Sequence, residues 1–86
     1  MKVYDKGILS SEFVYPITDY PTEYGEYWVI RFNEETEEIE TIEKVEFVPI
    51  DEEYPSQYDG WQDIQYEVEH PRECITYYWT ERMEFI

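Results

Sequence analysis

The chain has 86 residues and a formal net charge of −16, from 22 acidic and 6 basic side chains. That length allows one domain with a modest core. The charge excludes nucleic acid and anionic membrane as direct partners.

Aromatic residues make up 20% of the chain and the hydrophobic fraction is 42%, which is too apolar for a disordered acidic protein. Cys74 is the single cysteine. No intramolecular disulfide or cysteine-built zinc site is therefore expected, and a reducing, cytoplasmic setting fits. The first residues lack the pattern of a signal peptide. No apolar run approaches the roughly 20 residues that cross a bilayer.

In chain order, Met1–Tyr4 reads as a short strand. Gly7–Ile17 alternates only in part, and Pro16 restricts it to a sheet edge. Thr18–Gly25 carries Asp, Pro and Gly at turn positions and reads as a loop. Glu26–Phe32 is the clearest strand. It is apolar on both faces, with Trp28, Ile30 and Phe32 on one and Tyr27 and Val29 on the other, and such a strand is expected at the centre of a sheet. Asn33–Glu37 then reads as the turn of a hairpin.

Glu38–Ile50 supports two readings. As a strand, Ile39, Thr41, Val45, Phe47 and Pro49 share one face, and only Ile42 and Glu43 break the alternation. As a helix, Ile39, Ile42 and Val45 align, but Glu37, Glu40, Glu43 and Glu46 then stack at repulsive i,i+3 spacing. The strand is preferred. Asp51–Gly60 is a loop. Trp61–His70 alternates, with Ile64, Tyr66 and Val68 facing inward and Asp63, Gln65, Glu67 and Glu69 facing water, and reads as a strand. Pro71 and Arg72 make a turn. Glu73–Thr80 is a strand by composition, and Glu81–Ile86 continues it or frays. The expected fold is mainly β (or α+β), a small antiparallel sheet or half-open barrel of four to five short strands, with room for one short helix. Residues 1–86 read as one acidic domain.

The charge is unevenly placed. Residues 33–53 hold ten carboxylates and Lys44, a net of −9, against −2 before them and −5 after. Six apolar residues from Ile39 to Ile50 are threaded through the same stretch, so it is built to fold while displaying acid groups. Extended, it carries one charge per roughly 7 Å. A hairpin that doubles it back approaches one per roughly 3.5 Å, close to the phosphate spacing of about 3.4 Å along one strand of duplex DNA. Solubility of a small domain needs a net charge of only about 2–8.

Other candidates are weaker. Asp51, Glu52 and Glu53 offer oxygen ligands for calcium but lack EF-hand spacing and its central glycine. His70 and Cys74, four apart, form a possible thiol–imidazole pair without an oxyanion loop or an orienting third group. The many carboxylates guarantee chance pairs, and none is marked as an acid and base. The tyrosines Tyr20, Tyr24, Tyr54 and Tyr58 lie in loops, as interface anchors or as lids on a thin core.

In size, charge and aromatic content the chain resembles the acidic DNA-mimic inhibitors of phages and mobile elements: anti-restriction proteins, anti-CRISPR proteins and inhibitors of uracil-DNA glycosylase. The resemblance covers composition and no motif, and it implies a role and no topology, since those proteins do not share one fold. It implies a non-enzymatic protein that needs no cofactor or metal. Its partner would be a basic protein surface, that of a nucleic-acid-binding host enzyme. On this reading Glu34, Glu35, Glu37, Glu38, Glu40, Glu43, Glu46, Asp51, Glu52 and Glu53 meet basic groups of the partner, and Tyr54 and Tyr58 serve as anchors. A homodimer is compatible with it. The alternative is an acidic interaction protein, such as an antitoxin, transcription modulator or allosteric inhibitor, that binds outside any nucleic-acid site.

Overall fold

The computed structural model describes residues 13–81. The readings of Met1–Tyr4, of residues 7–12 and of residues 82–86 fall outside that range. The described chain forms strands β1 (Tyr15–Pro16), β2 (Gly25–Asn33), β3 (Glu38–Val48) and β4 (Gly60–Trp61), a short helix α1 (Gln65–Glu69), and strand β5 (Ile75–Thr80). All strand pairs are antiparallel. The order across the sheet is β1-β5-β2-β3-β4, and the sheet curls into a half-barrel. The mainly β expectation and its short helix are both borne out.

β2 is central because it is apolar on both sides. Tyr27 and Val29 face the main core, while Ile30 and Phe32 are buried on the opposite face. Pro16, which lacks a backbone donor, sits in the edge strand β1, where the sheet tolerates it.

The strand reading of Glu38–Ile50 holds over Glu38–Val48. The apparent break at Ile42 and Glu43 has a simple cause. Arg31 lies opposite Thr41 but Phe32 lies opposite Ile39, so Glu40 is an extra residue, a β-bulge. Beyond it the alternation is regular: Thr41, Glu43, Val45 and Phe47 on the core side, Ile42, Lys44 and Glu46 on the other. Ile39 joins the second face, opposite Phe32, and not the first as the unbroken alternation implied.

Trp61–His70 is a correction. Only Trp61 pairs as a strand, against Phe47. The chain then turns through Asp63, at φ 66°, into α1. Ile64 and Val68, four apart, both pack on the core, so a helical face and not a two-residue period buries them. Tyr66, expected inside, is 75% exposed. The turn is pinned by Gln65, whose Oε1 accepts the Trp61 N–H at 2.7 Å. Gly60 lies beside it at φ 95°, where a Cβ would stand 2.4 Å from that oxygen.

The core between sheet and helix is aromatic. Trp61 is fully buried between Tyr27, Phe47 and Trp79, at ring separations of 6.1, 4.8 and 6.3 Å. Edge-on contacts of this kind add about 0.5–1.5 kcal/mol each beyond area burial. This is how a chain with few aliphatic residues closes a core.

Candidate partner-binding surface

The acidic segment folds as a turn, a strand and a loop, and each part places its carboxylates differently. At the turn, Asn33 Oδ1 accepts the N–H groups of Glu35 and Thr36 at 2.9 and 3.0 Å, and Glu37 takes a left-handed φ of 57°. Such a turn favours Asn or Asp at its start. It holds Glu34, Glu35, Glu37 and Glu38 outward, all exposed. Glu34 accepts the Thr76 hydroxyl at 2.7 Å.

After β3, Asp51 Oδ1 accepts the N–H groups of Glu53 and Tyr54 at 2.9 and 3.2 Å. Asp59 Oδ2 accepts that of Ser56, and Ser56 Oγ that of Tyr58. One oxygen of Asp51 thus shapes the loop, which leaves Glu52 and Glu53 exposed and turns Tyr54 and Tyr58 to water, 74% and 68% exposed. Tyr24 and Ile50 are exposed as well. Tyr20 instead stacks on Phe47 and lids the core. The two exposed acidic groups lie beyond opposite ends of β3, an 11-residue strand and so about 33 Å of chain.

On β3 itself the carboxylates have internal partners. Arg31 is on the core face and 9% exposed. Its Nε and Nη2 donate to Glu67 Oε2 and Oε1 at 2.9 and 3.0 Å, its Nη1 donates to Thr41 Oγ1 at 3.0 Å, and Nη2 lies 2.7 Å from Glu43 Oε1. The Tyr77 hydroxyl also donates to Glu67, at 2.5 Å. The hydrogen bonds from Arg31, then that from Tyr77, hold the Glu67 carboxyl below its ordinary pKa, against the opposing effect of burial. Burial first, and the bond to Glu67 second, push Tyr77 up. Glu67 therefore clamps α1 to the sheet and does not lie on a wet face. Arg72 pairs with Glu40 at 2.7 Å. The Tyr24 hydroxyl donates to Glu46, which sits directly opposite Glu26, a like-charge cross-strand pair that costs stability.

The doubled charge density expected of the hairpin is met only at its turn, since β2 contributes Glu26 and Arg31 alone. Of the predicted partner-binding residues, the structure thus gathers Glu34, Glu35, Glu37 and Glu38 at one end and Asp51, Glu52, Glu53, Tyr54 and Tyr58 at the other. Glu40, Glu43 and Glu46 lie between them, engaged within the fold. What sequence reading missed is the Arg31 cluster, because nothing in the spacing of Arg31, Glu43 and Glu67 brings them together.

The thiol–imidazole pair is not assembled. His70 stacks on Tyr66 at 4.4 Å, with Nδ1 3.2 Å from the Tyr66 carbonyl. Cys74, within the segment expected as a strand from Glu73 to Thr80, is exposed at φ 67° just before β5. Its thiol faces Glu35 Oε2 at 3.4 Å, and that hydrogen bond raises its pKa. This is the wrong direction for a nucleophilic thiol. Among the described residues no three His, Cys, Asp or Glu side chains converge as a metal requires, and no helix is long and apolar enough to cross a membrane. No protein-family model, curated protein or solved structure matches the chain.

Proposed function

We propose that the protein is a non-enzymatic inhibitor that occupies the basic nucleic-acid-binding surface of a host defence enzyme, with carboxylates standing in for phosphates, in the manner of anti-restriction and anti-CRISPR proteins. It would act in the cytoplasm of the host cell. One observation carries the reading. The described residues contain three Lys or Arg side chains, and each has an internal partner: Arg31 on Glu43 and Glu67, Arg72 on Glu40, and Lys44 over the Trp28 ring at 5.4 Å. Glu34, Glu35, Glu38, Glu52 and Glu53, at the two ends of β3, are therefore exposed with no cation among the described residues paired to them. Fields of one sign speed encounter with a surface of the opposite sign, and their length suits a groove that holds several phosphates of one strand.

A second reading has its own support. Tyr24, Ile50, Tyr54 and Tyr58 form an exposed apolar group around the end of β3, as a docking surface outside any nucleic-acid site requires. Competition separates the two. A partner captured from host lysate and identified should be released by nucleic acid if mimicry holds and retained if it does not. Glu38, Glu52 and Glu53 changed together to Lys test the charge directly, because none of them pairs with a cation among the described residues. Association should slow at least tenfold and its salt dependence should flatten. A folded triple variant with unchanged association rate and salt slope would refute the mimic.

A further inference from the structure

The geometry points to the outer edge of β3, around Ile42 and Lys44, as a docking site where an extended, basic segment of the partner adds to the sheet as a further strand. The inference rests on the reading that the partner is basic, and it names how that partner is held.

The sheet order leaves β3 paired with β2 along its length, but with β4 only at Phe47 and Val48. The direction of the remaining backbone groups follows from one bond. The Gln62 N–H donates to the Glu46 carbonyl at 2.9 Å, so the main-chain groups of Glu46 point away from β2. Backbone direction alternates along a strand, so those of Lys44 and Ile42 point the same way. No backbone bond among the described residues reaches them. A long strand with free N–H and C=O groups is a template for another strand.

Charge decides the occupant. β3 carries Glu38, Glu40, Glu43 and Glu46 against Lys44. A second copy laid along this edge would set carboxylates against carboxylates, which is destabilising. A strand with Lys or Arg at alternate positions would place its cations on one face, beside Glu43, whose side chain is 47% exposed, and its apolar residues on the other, beside Ile42. Lys44 is held over Trp28 and leaves the edge itself unblocked. Main-chain bonds would supply affinity without sequence preference, and the flanking carboxylates would select for basic side chains.

The test uses the full chain and a ten-residue peptide of alternating Lys and Val, at low salt. A lysine-rich peptide with a proline at every third position, which cannot pair as a strand, is the control. Amide exchange at Ile42 and Lys44 should slow at least tenfold when the alternating peptide is bound and stay unchanged with the control. Backbone N-methylation of the peptide on every second residue should weaken binding about tenfold or more for one parity and little for the other, because only one parity of donors faces β3. Binding with Ile42 and Lys44 exchange unchanged would overturn strand addition and leave the charge reading standing. Tighter binding of the control than of the alternating peptide would do the same. Failure of both peptides to bind would overturn the acidic surface as well.

Discussion

Replacing Glu67 with Gln keeps the shape of the side chain and removes the charge that clamps α1 to the sheet. Glu67 receives two hydrogen bonds from Arg31 and one from Tyr77. Bonds to a charged group contribute about 1.5–3 kcal/mol each. Gln keeps one acceptor but turns an amide donor toward a guanidinium, so the equivalent of at least one such bond is lost and one donor is opposed. The Glu67 side chain is 27% exposed, and screening trims the result. The expected loss is about 2–3 kcal/mol. A domain of this size is stable by roughly 4–13 kcal/mol, and each kcal/mol moves Tm by about 4–8 °C, so E67Q should melt about 10–20 °C lower. The pH dependence is the sharper measure. The folded pKa of Glu67 lies below its ordinary 4.5, so its stabilisation is fully present above that value and fades as pH falls through the depressed one. Urea midpoints of the two proteins should stand apart at pH 7 and converge as pH falls below 4.5 and through the depressed folded value. A gap under about 0.5 kcal/mol at neutral pH, or one that persists undiminished in acid, would refute the clamp. Changing Arg31 and Glu67 together to Met should cost less than the two single changes summed, because neither charge is then left unpaired.

Two further outcomes follow from backbone and thiol geometry. Gly60→Ala sets a Cβ against Gln65 Oε1 at a left-handed φ, and should lower stability by about 1–3 kcal/mol in urea unfolding; an unchanged midpoint would show that the turn does not need glycine. Cys74 is exposed but bonded to Glu35, which raises its pKa, so iodoacetamide should alkylate it more slowly than free cysteine at pH 8, and Glu35→Gln should speed the reaction. Equal rates in the two proteins would show that Glu35 does not govern the thiol.

The strands that hold the fold were legible because their signal is local. YWVIRF from Tyr27 to Phe32 is apolar on both faces, and centrality follows from that alone. The Glu38–Val48 strand could be read despite its bulge, since one extra residue at Glu40 disturbs the alternation at a single place. Trp61–His70 was misread because Ile64, Tyr66 and Val68 satisfy a two-residue period while Ile64 and Val68 alone satisfy a helical one. What decides is the turn set by Gly60, Asp63 and the reach of Gln65 to the Trp61 N–H, a contact no periodicity encodes. The exposure of the acidic segment was legible as well, but its internal pairing was not. Glu40 and Glu43 read as part of one charge run, and the structure pairs them with Arg72 and Arg31, which lie outside that run.

The Arg31–Glu67 contact also bears on the order in which the molecule assembles. The β2–β3 hairpin closes through the short Asn33–Glu38 turn, at small entropic cost. The β2–β5 pairing must instead bring Trp28 to Thr80 and Asn33 to Ile75, and distant pairings of this kind slow folding. Arg31 is presented by the hairpin beside Glu43, but Glu67 lies 36 residues along the chain, on a five-residue helix that is too short to persist before it is packed. The Arg31–Glu67 pair is therefore expected to close after the rate-limiting step, which refolding and unfolding rates of E67Q check. In a chevron plot the cost of E67Q falls on the unfolding arm while the refolding arm stays in place, so the clamp sets how long the folded molecule lasts and not how quickly it is reached.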